Sequence, residues 1–74
     1  MDELEWIEVL DSERIVAMAY DEEMETIYVR FPEGVEWLYE GCPPNVWEEF
    51  SSAGQSKGRY IREVLDHKPN RRAG

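Results

Sequence analysis

The sequence predicts an α+β domain: an antiparallel sheet of about four strands, followed by two short helices packed on one face of the sheet. Short β-branched and aromatic segments with period-two alternation fill residues 5–40, and apolar residues then recur at helical spacing after a proline pair. Strands grouped before helices are typical of α+β proteins. The 74 residues make one domain, which we place at residues 1–69, and residues 70–74 are expected to form a flexible tail.

Four segments carry the strand pattern. The first strand is predicted at residues 5–10 and the second at residues 14–20, which are apolar on both alternating faces and therefore suit a central strand. Residues 26–31 alternate cleanly, and residues 35–40 form the return strand. Between them, Gly34 ends a Pro-Glu-Gly sequence that favours a hairpin turn with the glycine in the left-handed region.

The first helix is predicted to begin at Pro43 and Pro44, because a missing backbone N–H costs nothing at the start of a helix. Val46, Phe50 and Ala53 then form one apolar stripe at i, i+4 and i+7.

The second helix is predicted to begin after Ser56, whose hydroxyl is a suitable N-cap. Ile61 with Leu65, and Tyr60 with Val64, are two adjacent i, i+4 pairs that can lie on the sheet.

The formal charge of −9 is divided unevenly along the chain. Residues 1–49 carry 15 acidic and 2 basic residues, whereas residues 50–74 carry 2 acidic and 6 basic residues. The basic end either complements a helix dipole or contacts phosphates. If nucleic acid is the partner, the candidate binding residues are Lys57, Arg59, Arg62, Lys68, Arg71 and Arg72.

The acidic half is either a solvated surface, or a surface that binds a basic partner or imitates nucleic acid. In the second case the acidic sheet edge would be used together with aromatic anchors. The candidate protein-interface residues are Trp6, Trp37, Tyr39 and Trp47. A homodimer through a free sheet edge is a further possibility.

The sequence offers no pattern for catalysis or for a cofactor. Cys42 and His67 are the only residues of their types, and no third group in the sequence would orient them as a catalytic pair. The carboxylates of residues 21–25 lack the spacing of a calcium loop. We therefore expect a non-enzymatic chain without a metal or cofactor. A single cysteine, no membrane-length apolar run and no secretory signal predict the cytoplasm.

The order of several short motifs resembles the KTSC domain, a small domain named after its occurrence at the C-terminus of some lysyl-tRNA synthetases. The matching residues are Asp11-Ser12, Ile15, Ala19-Tyr20-Asp21, Ile27, Val29, Phe31, Gly34, Trp37-Leu38-Tyr39, Cys42-Pro43, Val46-Trp47, Ala53 and Ser56-Lys57-Gly58-Arg59-Tyr60. The chain departs from the family pattern at Trp37, at Cys42, at Arg62 and in a slightly longer gap before Ser56.

The resemblance implies the α+β fold and a small bacterial or bacteriophage protein. For this family an RNA-associated role has been suggested without an established mechanism. The leading expectation is therefore an RNA-associated binding module that uses the basic second helix and tail. The alternative is an acidic interaction or inhibitory module of the bacteriophage type that acts on a host protein.

Overall fold

A computed structural model describes residues 4–73 of the chain and confirms the α+β architecture. Five antiparallel strands are arranged in the order β1-β2-β3-β4-β5, so each strand pairs with its neighbour in sequence. The strands are β1 (Ile7–Glu8), β2 (Ala17–Asp21), β3 (Thr26–Arg30), β4 (Glu36–Tyr39) and β5 (Asn70–Arg72). Between β4 and β5 lie the helices α1 (Pro44–Ser51) and α2 (Lys57–Glu63) and a single 3₁₀ turn (Leu65–His67).

The first two strands are shorter than the apolar pattern predicted. Ser12 is the cause for β2, because its Oγ accepts the backbone N–H groups of Arg14 (3.0 Å) and Ile15 (3.4 Å). This local turn holds the backbone of Arg14 and Ile15 out of the sheet, and β2 begins at Ala17.

The hairpin between β3 and β4 is as predicted. The N–H of Phe31 donates to the carbonyl of Val35, and the N–H of Gly34 donates to the carbonyl of Phe31, both at 2.8 Å. Gly34 has a φ of 93°, which only glycine adopts without strain.

The helix starts match the sequence prediction, but the end of α1 does not. Pro43 is the N-cap of α1, and Ser56 caps α2 by accepting the N–H of Arg59. Val46 and Phe50 are buried, as their spacing predicted. Ala53 was wrongly placed in the same stripe: α1 ends at Ser51, and Ala53 is exposed in the loop beyond it.

The main core lies between the helices and one face of the sheet. Because paired residues of an antiparallel sheet share a face, Met18, Val29 and Trp37 lie on the side that the helices cover. The largest fully buried side chains are Phe50, Ile15, Ile27, Ile61, Leu65, Val29 and Cys42.

The opposite face of the sheet is partly covered by the N-terminal segment. Ala17 and Ala19 are small and buried there, and Trp6 packs edge-to-face against Tyr28 with ring centroids 6.4 Å apart. The guanidinium of Arg30 lies 4.3 Å from the centroid of the Trp6 ring. This face is therefore not an open aromatic platform of the kind that stacks RNA bases.

Residues 70–72 correct the expectation of a flexible tail, because they form β5 beside β4. The N–H of Glu40 donates to the carbonyl of Pro69 at 2.7 Å, and the N–H of Ala73 donates to the carbonyl of Glu36 at 2.8 Å. The indole N–H of Trp37 donates to Oδ1 of Asn70 at 2.9 Å. Asn-Arg-Arg has no apolar alternation, so no local pattern indicates this strand, which backbone pairing holds in place.

Candidate binding surfaces

Lys57 is not available as a phosphate contact. Its side chain is 6% exposed, and its Nζ donates to the carbonyl of Ser52 at 3.0 Å. The ammonium also lies 5.7 Å from the centroid of the Phe50 ring, and burial lowers the pKa of the Lys57 amine. Because Ser52 is the C-cap of α1, Lys57 stabilises the negative end of that helix.

The other five basic candidates are divided between two elements. Arg59 and Arg62 are exposed on α2, where Arg59 forms an ion pair with Glu63 at 3.2 Å. Arg71 and Arg72 are adjacent in β5, so their side chains leave opposite faces of the sheet. Arg71 binds Glu40 at 2.7 Å. Lys68, which completes the set, is half-buried between the 3₁₀ turn and β5, and the six residues do not form one basic patch.

The four aromatic candidates also lie apart. Tyr39 is only 2% exposed and belongs to the core, so it cannot be a surface anchor. Burial, with a smaller contribution from the charge of Asp66, raises the pKa of Tyr39 to about 12. Trp37 and Trp47 are half-buried against the helix-covered core, whereas Trp6 lies on the opposite face of the sheet.

Cys42 is a small, fully buried residue at the corner between β4 and α1. Its carbonyl accepts the hydroxyl of Tyr20 at 2.6 Å, and its N–H donates to the carbonyl of Glu25 at 2.8 Å. Tyr20 in turn stacks on Trp47, with ring centroids 5.2 Å apart. Burial raises the pKa of the Cys42 thiol, which opposes formation of a nucleophilic thiolate. His67 is exposed at the end of the 3₁₀ turn.

The Ser-Lys-Gly-Arg-Tyr motif is explained by folding. Ser56 caps α2, and a Cβ at Gly58 would lie 3.3 Å from the Cβ of Arg14, so glycine permits a close approach of α2 to the β1–β2 loop. The hydroxyl of Tyr60 donates to Oε1 of Glu49 at 2.7 Å and joins α2 to α1. Ser56, Gly58 and Tyr60 therefore position elements of the fold.

A polar groove of about 430 Å³ lies between the β1–β2 loop and the α1–α2 loop. Its lining includes the carboxylates of Asp11 and Glu13 together with the cations of Arg14 and Lys57. Opposite charges are balanced there, so the lining favours neither an anionic nor a cationic ligand.

Two further kinds of feature are absent from the described part of the chain. Within residues 4–73, no three His, Cys, Asp or Glu side chains are grouped so that they could hold a metal ion. None of the helices in that range is long and apolar enough to cross a membrane.

Three exposed apolar side chains lie in the first strand and in the loop that follows it, and no pattern in the sequence singled them out. Leu10 is 84% exposed, Ile7 46% and Val16 37%. The N–H of Val9 donates to the carbonyl of Val16 at 2.9 Å, which brings the two chain segments together. Glu5, Glu8, Asp11 and Glu13 are the exposed carboxylates of the same stretch. We call the exposed residues between Glu5 and Val16 the β1 edge.

The geometry defines a small α+β domain in which a five-stranded antiparallel sheet carries two helices on one face. The sequence model of the KTSC domain family matches residues 11–68, which is most of the chain. The chain therefore belongs to the KTSC domain family.

A solved structure supports this assignment. The crystal structure of a KTSC domain protein from Yersinia pestis superposes on this chain with a TM-score of 0.85 and 29% sequence identity. The match covers 97% of this chain and 100% of the Yersinia chain. A search of curated proteins found no match to this sequence.

Proposed function

We propose that this KTSC domain is a non-enzymatic binding module for a basic protein partner. The observation that carries the proposal is a contrast between basic side chains that are bound within the domain and acidic side chains that outnumber them. Lys57 is buried, and Arg30, Arg59 and Arg71 form ion pairs with glutamates of the same chain. Acidic residues outnumber Lys and Arg by 17 to 8 in the sequence, so the surface potential is negative and attracts cationic partners.

RNA binding through α2 and the C-terminal segment is the second candidate. It is favoured by Arg59, Arg62, Arg71 and Arg72, which are exposed and lie in the half of the chain where basic residues predominate. Exposed ion pairs are worth only about 0–1 kcal/mol, so Arg59 and Arg71 can exchange a glutamate for a phosphate. The surrounding negative charge opposes this exchange, which places RNA second.

A titration separates the two candidates. The full chain is titrated into fluorescently labelled lysine-rich peptides, acidic peptides, single-stranded RNA and duplex RNA at about 50 and 200 mM salt, with anisotropy as the readout. We expect the lysine-rich peptides alone to bind, with an affinity that falls as salt rises. RNA binding that is lost when Arg59, Arg62, Arg71 and Arg72 are changed to Glu would replace the protein-partner proposal with the RNA one.

A further inference from the structure

We infer that the β1 edge accepts an extended segment of the partner protein as an added strand, and that apolar and basic residues alternate along this segment. The inference rests on the proposed function and states where and how the partner is held. It follows from the backbone, from the side chains beside it and from the charges around it.

The backbone of β1 has one free side. Ile7 is paired with Met18, and the N–H of Val9 donates to the carbonyl of Val16, so both residues turn their polar groups towards β2. Because this direction alternates along an antiparallel strand, the N–H and C=O of Glu8 point away from β2. β1 is the outermost strand in the sheet that residues 4–73 form, so an incoming strand can pair with Glu8.

The side chains of β1 determine the pattern of the incoming strand. Ile7 lies on the same face as Met18, and Glu8 lies on the other face with Ala17. Neighbouring strands place their side chains side by side on each face, and opposite charges in such pairs are favourable. An apolar residue of the partner therefore contacts Ile7, and a Lys or Arg beside it meets the carboxylate of Glu8.

The carboxylates of the β1 edge disfavour two other occupants, a second copy of this chain and a nucleic acid. A second copy of this chain that paired antiparallel through the outward backbone groups of Glu8 would place Glu8 opposite Glu8 and Glu5 opposite Asp11, and like charges across a strand pair are destabilising. A nucleic acid would bring phosphates to the same carboxylates. A basic protein segment is the partner whose charge complements the edge.

The first test uses a labelled peptide of alternating valine and lysine with the full chain. We expect binding by this peptide and none by the same peptide with glutamate in place of lysine. Methylation of the backbone nitrogens at every second residue removes the donors along one side of a strand. Methylation of one alternate set of nitrogens should abolish binding, and methylation of the other set should not. Binding that survives methylation of each set in turn would overturn strand addition.

Two charge reversals locate the site. Glu8→Lys and Glu23→Lys each change the same exposed residue type by the same charge, but Glu23 lies in the β2–β3 turn. We expect Glu8→Lys to weaken peptide binding about five-fold or more and Glu23→Lys to weaken it less than about two-fold, because only the first meets the peptide directly. Equal weakening would show that the peptide does not bind at the β1 edge and would leave the proposed function intact. Failure of every basic peptide to bind would overturn both the binding site and the proposed function.

Amide exchange followed by NMR supplies a readout of the backbone itself. Peptide binding should slow exchange of the Glu8 N–H, which faces outward, and should leave the Val9 N–H unchanged because it is already bonded to Val16. Peptide binding without protection at Glu8 would overturn the strand-addition geometry.

Discussion

At the scale of single residues, several polar side chains that could bind a ligand instead stabilise the fold. The ammonium of Lys57 caps α1, the hydroxyl of Tyr20 binds the carbonyl of Cys42, and the hydroxyl of Tyr60 binds Glu49. Each bond removes a donor from the surface, and each joins two elements of the fold. A sequence motif built from such residues therefore does not by itself reveal a binding site.

Tyr39 makes the stability of the domain sensitive to alkaline pH. Burial raises its pKa from 10.0 to about 12, and burial with the hydrogen bond to Glu49 raises the pKa of Tyr60 as well. The folded state thus holds these protons more tightly than the unfolded chain. The stabilisation is complete below pH 10 and is lost as the pH rises towards 12.

We expect urea unfolding to show a loss attributable to Tyr39 of about 1–2 kcal/mol across this interval, after allowance for solvent screening. The variant Tyr39→Phe has no phenol to titrate, so its unfolding free energy should fall less steeply with pH than that of the parent chain. Equal slopes for the two proteins would show that folding does not raise the pKa of Tyr39.

At the scale of elements, the segments predicted best were those with a clear apolar period. The alternation from Thr26 to Phe31, the glycine turn at Gly34 and the cap at Ser56 all correspond to observed features. Three outcomes depended on tertiary context that a local pattern does not contain. These are the burial of Lys57, the core position of Tyr39 and the exposure of Leu10.

The strand β5 is the clearest case, because its partner β4 is about 30 residues away in sequence and nothing local marks the pairing. A chain that ends at Lys68 loses β5, the backbone bonds that join Pro69 to Glu40 and Ala73 to Glu36, and the Trp37–Asn70 hydrogen bond. We expect this truncation to lower the unfolding free energy by about 2–3 kcal/mol, given about 1 kcal/mol for each bond.

Urea unfolding followed by tryptophan fluorescence measures this difference. The variant Arg71→Ala is the control: it keeps the strand and loses only an exposed ion pair, so its cost should stay below about 1 kcal/mol. If the truncated chain unfolds at the same urea concentration as the full chain, β5 adds nothing to stability and behaves as the tail that the sequence suggested.

At the scale of the whole molecule, the charge of −9 acts against compactness. Carboxylates that are far apart in the unfolded chain are brought together on a small surface, and their repulsion is long-ranged at low ionic strength. The surface ion pairs at Arg59 and Arg71 offset little of this repulsion. The negative potential on which the proposed binding of a basic partner depends therefore destabilises the free domain.

Salt should accordingly stabilise the free domain. From about 10 to about 500 mM sodium chloride we expect a gain of about 1 kcal/mol, or roughly 4–8 °C in melting temperature for a chain of this size, because the repulsion is screened. Thermal unfolding followed by circular dichroism measures the shift. A variant with Glu22→Gln and Glu23→Gln should respond less, and a melting temperature that falls with salt would contradict this account.

The strand order also bears on how the domain assembles. The meander from β1 to β4 needs only short connections, and the entropy lost on closing a loop grows with its length. The pairing of β5 with β4 closes the longest connection, which contains both helices. We therefore expect this last strand to join after the helices have docked, so that it completes the sheet as a late step in folding rather than nucleating it.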